Sequence, residues 1–442
     1  MRLIQTIKNI FKIEDLRARL LYTFGIILLY RLGKYVTLPG IDPAQLAGLK
    51  HQTASGLMGL LDMFSGGAFS QASILALGIM PYISASIVVQ LLGIVFPYFQ
   101  KLQKEGESGR RKMNQYTRYL TVAILVLQAP TYLINLHAQL PTSAFILTGT
   151  FFTFSSVIIL TAGTMFVMWL GERITDKGIG NGISLIIMIG IVARMPANFV
   201  FEAGTRMNGA GGAIGLIVEI LFLFLVVLGV ILLVQGTRRV PVQYARRIVG
   251  NKQYGGVRQY IPLKVNAAVV MPIIFAQAIM MLPMIIAGYT NSGSGFVVAF
   301  SNMYGFWYNM VTAILIIVFT YFYTAITINP VQMAEDMKKN GGFIPGIKPG
   351  RKTVEFLDTI MSRITFPGSI FLAIVAILPS LAVKATVTPQ FAQFYGGTSL
   401  LILVGVILDT LQQIESHLLM RHYDGLMKSG RVKGRSGSVT SI

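Results

Sequence analysis

Stretches of about 20 predominantly apolar residues recur along this chain, near 21–38, 73–96, 117–136, 145–170, 181–198, 213–235, 266–288, 305–328, 364–383 and 398–418. That is the length a helix needs to cross the hydrocarbon core of a bilayer. Backbone groups in hydrocarbon must satisfy their own hydrogen bonds, so an apolar segment of this length crosses as a helix. Composition agrees: 54% of the residues are hydrophobic and only 12% are charged, against roughly 25% charged in soluble domains. The expected fold class is an all-α integral membrane protein with ten transmembrane helices.

Lysine and arginine are retained on the cytoplasmic side of a membrane, so their distribution orients the spans. Thirty-one of the 37 basic residues fall in six regions: the N-terminal stretch, the loop at 97–118, the turn at Arg173 and Lys177, the loops at 236–265 and 329–363, and the tail from 419. The remaining six are Arg31, Lys34, Lys50, Arg194, Arg206 and Lys384. Both termini are therefore expected in the cytoplasm, and an even number of spans follows. Residues 1–20 alternate Ile4, Ile7, Ile10, Phe11 and Ile13 with Lys8, Lys12, Arg17 and Arg19, which suits an amphipathic helix lying in the interface; a frayed basic tail is the other reading. The first window is read as a retained helix, since a basic stretch precedes it and no clean small-residue cleavage pattern follows.

The chain has no cysteine, which excludes disulfides, thiolate metal sites and cysteine nucleophiles. His51, His137, His417 and His422 are scattered without ligand spacing, and no GxxxxGK[ST], GxSxG or HExxH occurs. The sequence reads as no enzyme, with no cofactor and no metal. Two loops exceed what orientation needs: TRRVPVQYARRIVGNKQYGGVRQYIPLK (237–264) and NPVQMAEDMKKNGGFIPGIKPGRKT (329–353) are long, basic and aromatic-bearing, with GG and PG turns. Such protrusions attract a polyanionic cytosolic partner, such as ribosomal RNA or an acidic protein surface.

Inside the spans, Ile79, Ile83 and Ile87 fall four apart and share one helix face. Ile183, Ile187 and Ile191 repeat the spacing, and Ile273 and Ile274 and then Leu401 and Ile402 mark later spans. Such stripes by themselves are more often helix packing or lipid contact. Gln90 and Gln277 are polar groups within spans, costly unless paired or hydrated; an interhelical hydrogen bond and a gating role both fit them. Asp409 in the last span fits a vestibule wall or a helix contact. The run GLMGLLDMF (56–64) is too short to span and is followed by Gly66 and Gly67; an external loop with a surface turn is one reading of it.

Six motifs, LGIMPYISASI (77–87), KEGESGRRKMNQYTRY (104–119), GIGNGISLII (178–187), IPLKVN (261–266), INPVQMAEDMKKNGGFIPGIKPG (328–350) and GGTSLLI (396–402), stand in family order. Together they resemble the SecY family, the pore-forming subunits of the bacterial protein-conducting channel. The resemblance implies two inverted, pseudo-symmetric five-helix halves around a central pore: residues 21–198 and 211–418, joined by an external hinge loop at 199–210, with a cytoplasmic tail at 419–442. It places a constriction ring on Ile79, Ile83, Ile183, Ile187, Ile274 and Ile402. It makes residues 57–69 a removable plug, with Leu57, Leu60, Leu61, Met63 and Phe64 on the half-helix and Gly66 and Gly67 as its hinge. A lateral gate into lipid would involve Ile87, Gln90, Gln277 and Leu282.

Partner contact is implied at Arg238, Arg239, Arg246, Arg247 and Lys348. At Lys348 the family usually carries arginine, so the charge is kept and the planar five-donor fork is lost. The implied function is translocation of unfolded polypeptides across a bacterial plasma membrane, with lateral release of apolar segments. Implied partners are SecE-like and SecG-like small membrane subunits, a SecA-like motor ATPase, the ribosome, signal peptides and nascent chains, and the lipid bilayer. Energy must come from outside, since no nucleotide site is visible. A secondary transporter of a small solute is the alternative, but Glu219 and Asp409 are the only acidic candidates within spans for ion coupling.

Overall fold

A computed structural model of the chain describes residues 13–46, 62–147, 149–209, 212–244, 247–249, 252–254, 258–265, 270–277, 279–280 and 302–429. Helices dominate: α1 (Glu14–Gly33), α2 (Met80–Val95), α3 (Pro97–Lys104), α4 (Glu107–Gln139), α5 (Thr150–Lys177), α6 (Gly182–Val192), α7 (Met195–Asn208) and α8 (Gly212–Gln235) come first. After a β-arm and a helical stretch at 271–277 follow α9 (Phe306–Thr327), α10 (Pro330–Lys339), α11 (Arg351–Lys384), the short α12 (Pro389–Ala392) and α13 (Gly397–Ser429). Among the described residues, seven helices are long and apolar enough to cross a bilayer, and the bent pair α2 and α3 brings the number to eight. Helix α1 adds five charged residues to its apolar stretch, and the window at 266–288 lies largely outside the described residues.

Several boundaries differ from the sequence expectation, each for a local reason. Residues 73–79 are turns, so the second span starts at Met80. Phe96 is extended because Pro97 follows it, and α3 leaves α2 at 102°. The expected loop at 97–118 is helical through α3 and the start of α4. The expected hinge loop at 199–210 is helical as far as Asn208. The N-terminal helix expected at 1–20 is not separate where described, because α1 starts at Glu14 and runs on into the first apolar window. At the other end, α13 carries helix into the expected tail as far as Ser429.

The two long loops are not loops. Residues Thr237–Tyr244 (β1), Arg247–Val249 (β2), Lys252–Tyr254 (β3) and Arg258–Lys264 (β4) form an arm in which β1 pairs antiparallel with β4, from Thr237 opposite Lys264 to Gln243 opposite Arg258. A two-residue β5 (Gly342–Phe343) adds to the other edge of β1. Val240 and Val242 alternate inward, the period-two signature of a half-buried strand. They pack with Leu263, Met337, Ile344, Leu357 and Met361 in one small core. The all-α expectation therefore holds for the membrane-crossing body and misses this sheet.

Helices α1, α2, α4, α5 and α6 pack on one another, and so do α8, α9, α11 and α13, with α6 against α13 between the groups. Helix α8 is apolar except at Glu219 and Gln235 and largely unburied, with Ile214, Val218, Phe224 and Leu232 exposed, as suits a lipid-facing helix. Buried threonines donate to carbonyls one turn back, as Thr121 does to Thr117 at 2.7 Å and Thr312 to Tyr308 at 2.7 Å. Their hydroxyls are thus satisfied without water.

A second junction between the groups is ionic. Arg206 at the end of α7 meets Glu202 at 3.3 Å and Glu219 of α8, and donates to Thr386 Oγ1 at 3.1 Å. Glu202 accepts from the Thr388 amide at 3.1 Å and from its hydroxyl, and Asn198 Nδ2 donates to the Gln390 carbonyl at 3.3 Å. Glu202 is wholly buried and Glu219 nearly so. Removing the one cation that serves two buried carboxylates costs about 3–5 kcal/mol. Arg206→Met should therefore lower the thermal midpoint of the detergent-solubilised chain, whereas Lys384→Met, at an exposed lysine, should not. Equal midpoints would remove this network as a structural lock.

Candidate functional site

One apolar cluster gathers residues from both helix groups. Ile79, Ile83 and Ile87 from the start of α2, Ile187 and Ile191 from α6, Phe275 from the 271–277 stretch and Ile402 from α13 are all buried in it, with Ile183 and Ile274 packed against it. The sequence-derived ring residues are thus brought together. Pro81 in the first turn of α2 suits a helix start, and the turn before α6 is pinned by Thr23 Oγ1, which accepts from the Ile179 amide at 3.2 Å, and by Gln413 Oε1, which accepts from Gly180 at 2.9 Å. Glycine is required at 182, where a Cβ would stand 2.0 Å from the Gly171 carbonyl oxygen.

A cavity of about 760 Å³ opens beside this cluster, walled by Asn181, Ser184, Ile187, Ile274, Ile402 and Asp409 among others. Asn181 also caps α6, accepting from the Ser184 amide at 3.4 Å. Asp409 takes its place on the cavity wall, held by Gln413 Nε2 at 3.3 Å. Ile183 is not on that wall: its Cγ1 lies 2.9 Å from where a Cβ on Gly171 of α5 would stand. On α6 the cavity-facing positions are Asn181, Ser184 and Ile187, one face of the helix.

Segment 62–74 enters the same cluster through Met63 and Phe64. Gly66 and Gly67 adopt φ of +66° and +86°, the left-handed region that glycine occupies without strain, and Gly66 lies against Gly190 of α6 with no room for a side chain between them. Their presence thus has a static cause in addition to any hinge action. Asp62, fully buried, pairs with Arg194 at 2.5 Å, and Arg31 Nη1 donates to the Gly66 carbonyl at 3.1 Å. Sequence reasoning missed these partners. The available signal was that Arg31 and Arg194 belong to the few basic residues outside the six basic regions of the sequence. Leu57, Leu60 and Leu61 lie outside the described residues.

Gln277 lines a small cavity of about 70 Å³ with Met63, Tyr304, Asn309, Ser380 and Ser399. Burial pushes the Tyr304 phenol above its ordinary range, opposed by a hydrogen bond with Gln393, so it presents a neutral hydroxyl there. Gln90 is half-buried and donates to Ser86 Oγ at 3.4 Å within α2; this contact is intrahelical, not the interhelical one considered from sequence. Ile87 is buried in the cluster, and Leu282 and Arg246 lie outside the described residues. Arg238 and Arg239 are exposed on β1, Arg247 opens β2, and Lys348 is exposed in the turn between β5 and α11. Thr353 Oγ1 donates to the Lys348 carbonyl at 3.1 Å and steadies that turn. Pairing of β1 with β5 makes one body of the two basic regions that the sequence presents separately.

These features define a class: a multi-pass helical membrane protein in which a buried apolar cluster drawn from both helix groups flanks an open cavity. The SecY family profile matches residues 73–411. The chain is 44% identical to the protein translocase subunit SecY of Corynebacterium glutamicum over 438 residues, covering 95% of this chain and 98% of that one. It is 44% identical to that of Mycobacterium tuberculosis over 436 residues, covering 94% and 97%. The chain belongs to the SecY family. Its fold is similar to that of a solved protein-conducting channel (TM-score 0.61, 17% identical, 93% of this chain and 95% of that one). It is also similar to a structure in which the plug domain of the SecY protein stabilises the closed state and maintains a membrane seal (TM-score 0.60, 17% identical, 93% and 95%), and to Sec61 in a canine ribosome-channel complex (TM-score 0.57, 17% identical, 93% and 95%).

Because the chain has no native cysteine, single substitutions can map the cavity wall. Ser184→Cys should react with a water-soluble maleimide at least about tenfold faster than Ile183→Cys, since reactivity follows exposure. Equal rates would contradict the assignment of the cavity face on α6.

Proposed function

We infer that this chain is the pore-forming subunit of a protein translocation channel, passing unfolded polypeptides across a bacterial plasma membrane and releasing apolar segments sideways into the bilayer. The observation that carries the reading is the convergence of isoleucines from α2, α6, the 271–277 stretch and α13 on one buried cluster at the end of an open cavity, in a chain of the SecY family. A cluster of branched apolar side chains excludes water and ions while no substrate is present. It offers no hydrogen bonds that a passing extended chain would have to break. Solute transport gains no support, because the relatives are translocase subunits and the similar folds are protein-conducting channels.

In this reading the chain crosses ten times in two inverted five-helix halves, 21–198 and 211–418, with both termini in the cytoplasm. Ile79, Ile83, Ile187, Ile274 and Ile402 form the constriction, with Ile183 behind it, and residues 57–69 plug it from the external side. The gate opens between α2 and the 266–288 span, past Ile87, Gln90, Gln277 and Leu282. Arg238, Arg239, Arg246, Arg247 and Lys348 receive the ribosome or a SecA-like motor, and SecE-like and SecG-like subunits complete the assembly. Catalysis has no part in this, so the driving force comes from those partners.

Photo-crosslinking tests the channel directly. A secretory chain stalled in transit should crosslink to probes at Ile83 and Ile274 and not at lipid-facing Ile214; export without such crosslinks would overturn the pore. The seal has its own test, because a serine tolerates the water that isoleucine excludes. Ile274→Ser with Ile402→Ser should raise resting ion conductance in planar bilayers severalfold, and unchanged conductance would take both residues out of the constriction.

A further inference from the structure

Segment 62–74 is anchored, among the described residues, by hydrogen bonds and ion pairs on one side. Among the described residues, the hydrogen bonds and ion pairs that leave residues 62–74 end on residues 30–38, Tyr132 and Arg194. Tyr30 Oη donates to the Ser65 carbonyl at 3.1 Å, Arg31 to Gly66 at 3.1 Å and Tyr132 Oη to Phe69 at 3.1 Å. The Leu38 amide donates to Ala72 at 2.9 Å and the Ile74 amide to Val36 at 2.9 Å. The ionic member is the pair of Asp62 and Arg194, with Asp62 Oδ1 also accepting from the Ser70 amide at 2.8 Å. Every one of these anchors lies before residue 199. Toward the later helix group the segment offers apolar packing, with Met63 and Phe64 in one buried cluster with Phe275 and Ile402.

We propose that Asp62 and Arg194 form an ionic latch that ties the plug to the N-terminal half, so that parting of the two halves and release of the plug are separate events. Separation along α2 and the 271–277 stretch removes only non-directional apolar contacts from the plug and leaves the latch in place. Release then depends on water. The attraction between the two charges is large in a dry surround and falls steeply as the effective dielectric rises, so a dry pore is latched and a hydrated one is not. An entering polypeptide that admits water beside Asp62 therefore loosens the plug without touching it. This inference rests on reading 62–74 as part of the seal.

The test uses the full chain in proteoliposomes with Ser70→Cys as its sole cysteine. Ser70 is buried in the latched plug, so a membrane-impermeant maleimide should label it slowly. Asp62→Asn and Arg194→Gln should each raise the labelling rate at least about tenfold, and the double variant should add nothing further, the mark of a direct pair. Arg194→Lys should stay slow, which separates loss of the latch from misfolding. Unchanged labelling in the single variants, or a double variant equal to the product of the two singles, would overturn the latch. Halide flux measured in the same vesicles tests the underlying reading: faster labelling without increased flux would keep the latch and sink the assignment of this segment as the seal.

Discussion

A charge in the apolar interior of a membrane protein must have a partner, and that constraint organises this structure more than any single packing contact. Of the six basic residues outside the six basic regions of the sequence, Arg31 and Arg194 hold the turn of segment 62–74, Lys34 sits at Gly67 beside them, and Arg206 serves two buried carboxylates between α7, α8 and residues 386–388. Four of these six outlying basic residues are thus fixed points of the fold, while Lys384 is exposed. One group fixes the turn at residues 62–67 against α1 and Arg194, and the other locks the connection between the helix groups. Neither adds greatly to net stability, because desolvation offsets most of the attraction, yet each makes one arrangement far better than its neighbours.

What the sequence revealed follows from which forces act locally. Spans were legible because hydrophobic run length is a local property, and α4, α5, α8, α9, α11 and α13 all contain their predicted windows wholly or in large part. Their ends were less so, since amphipathic extensions such as Glu107–Thr117 and Arg351–Arg363 remain helical beyond the membrane through packing that no window measures. The β-arm was missed although its alternation, Val240 and Val242 between Arg239, Pro241 and Gln243, stands in the sequence. A run of basic residues and turn pairs masked it, and its partner Ile344 lies a hundred residues away.

The site divides the same way. Helical spacing gave stripes, and the family resemblance named six isoleucines, of which Ile79, Ile83, Ile187 and Ile402 are buried in one cluster with Ile183 and Ile274 packed against it. The facing direction of Ile183 needed the approach of α5 at Gly171, which depends on the turn at 178–182 and its contacts with Thr23 and Gln413. Asp62 and Arg194 are 132 positions apart, and nothing local to either announces the pair. The glycine pair that interrupts the apolar run was legible as an interruption; its cause, a left-handed turn against Gly190, was not.

In the channel we propose, closure at the centre combines two interactions that fail in different ways. The isoleucine cluster is non-directional, and separating it costs about 25 cal/mol per Å² of apolar surface exposed, a smooth price that lets it open by degrees and reseal around side chains of any shape. The ionic anchor of the plug is directional and depends on dryness, so it holds or releases with little between. A channel closed by apolar contact alone would leak whenever thermal motion parted its helices, and one closed by charge alone would fail as soon as water entered. Placed in series, the apolar cluster keeps the latch dry and the latch keeps the plug packed beneath the cluster, so each supplies the condition the other needs.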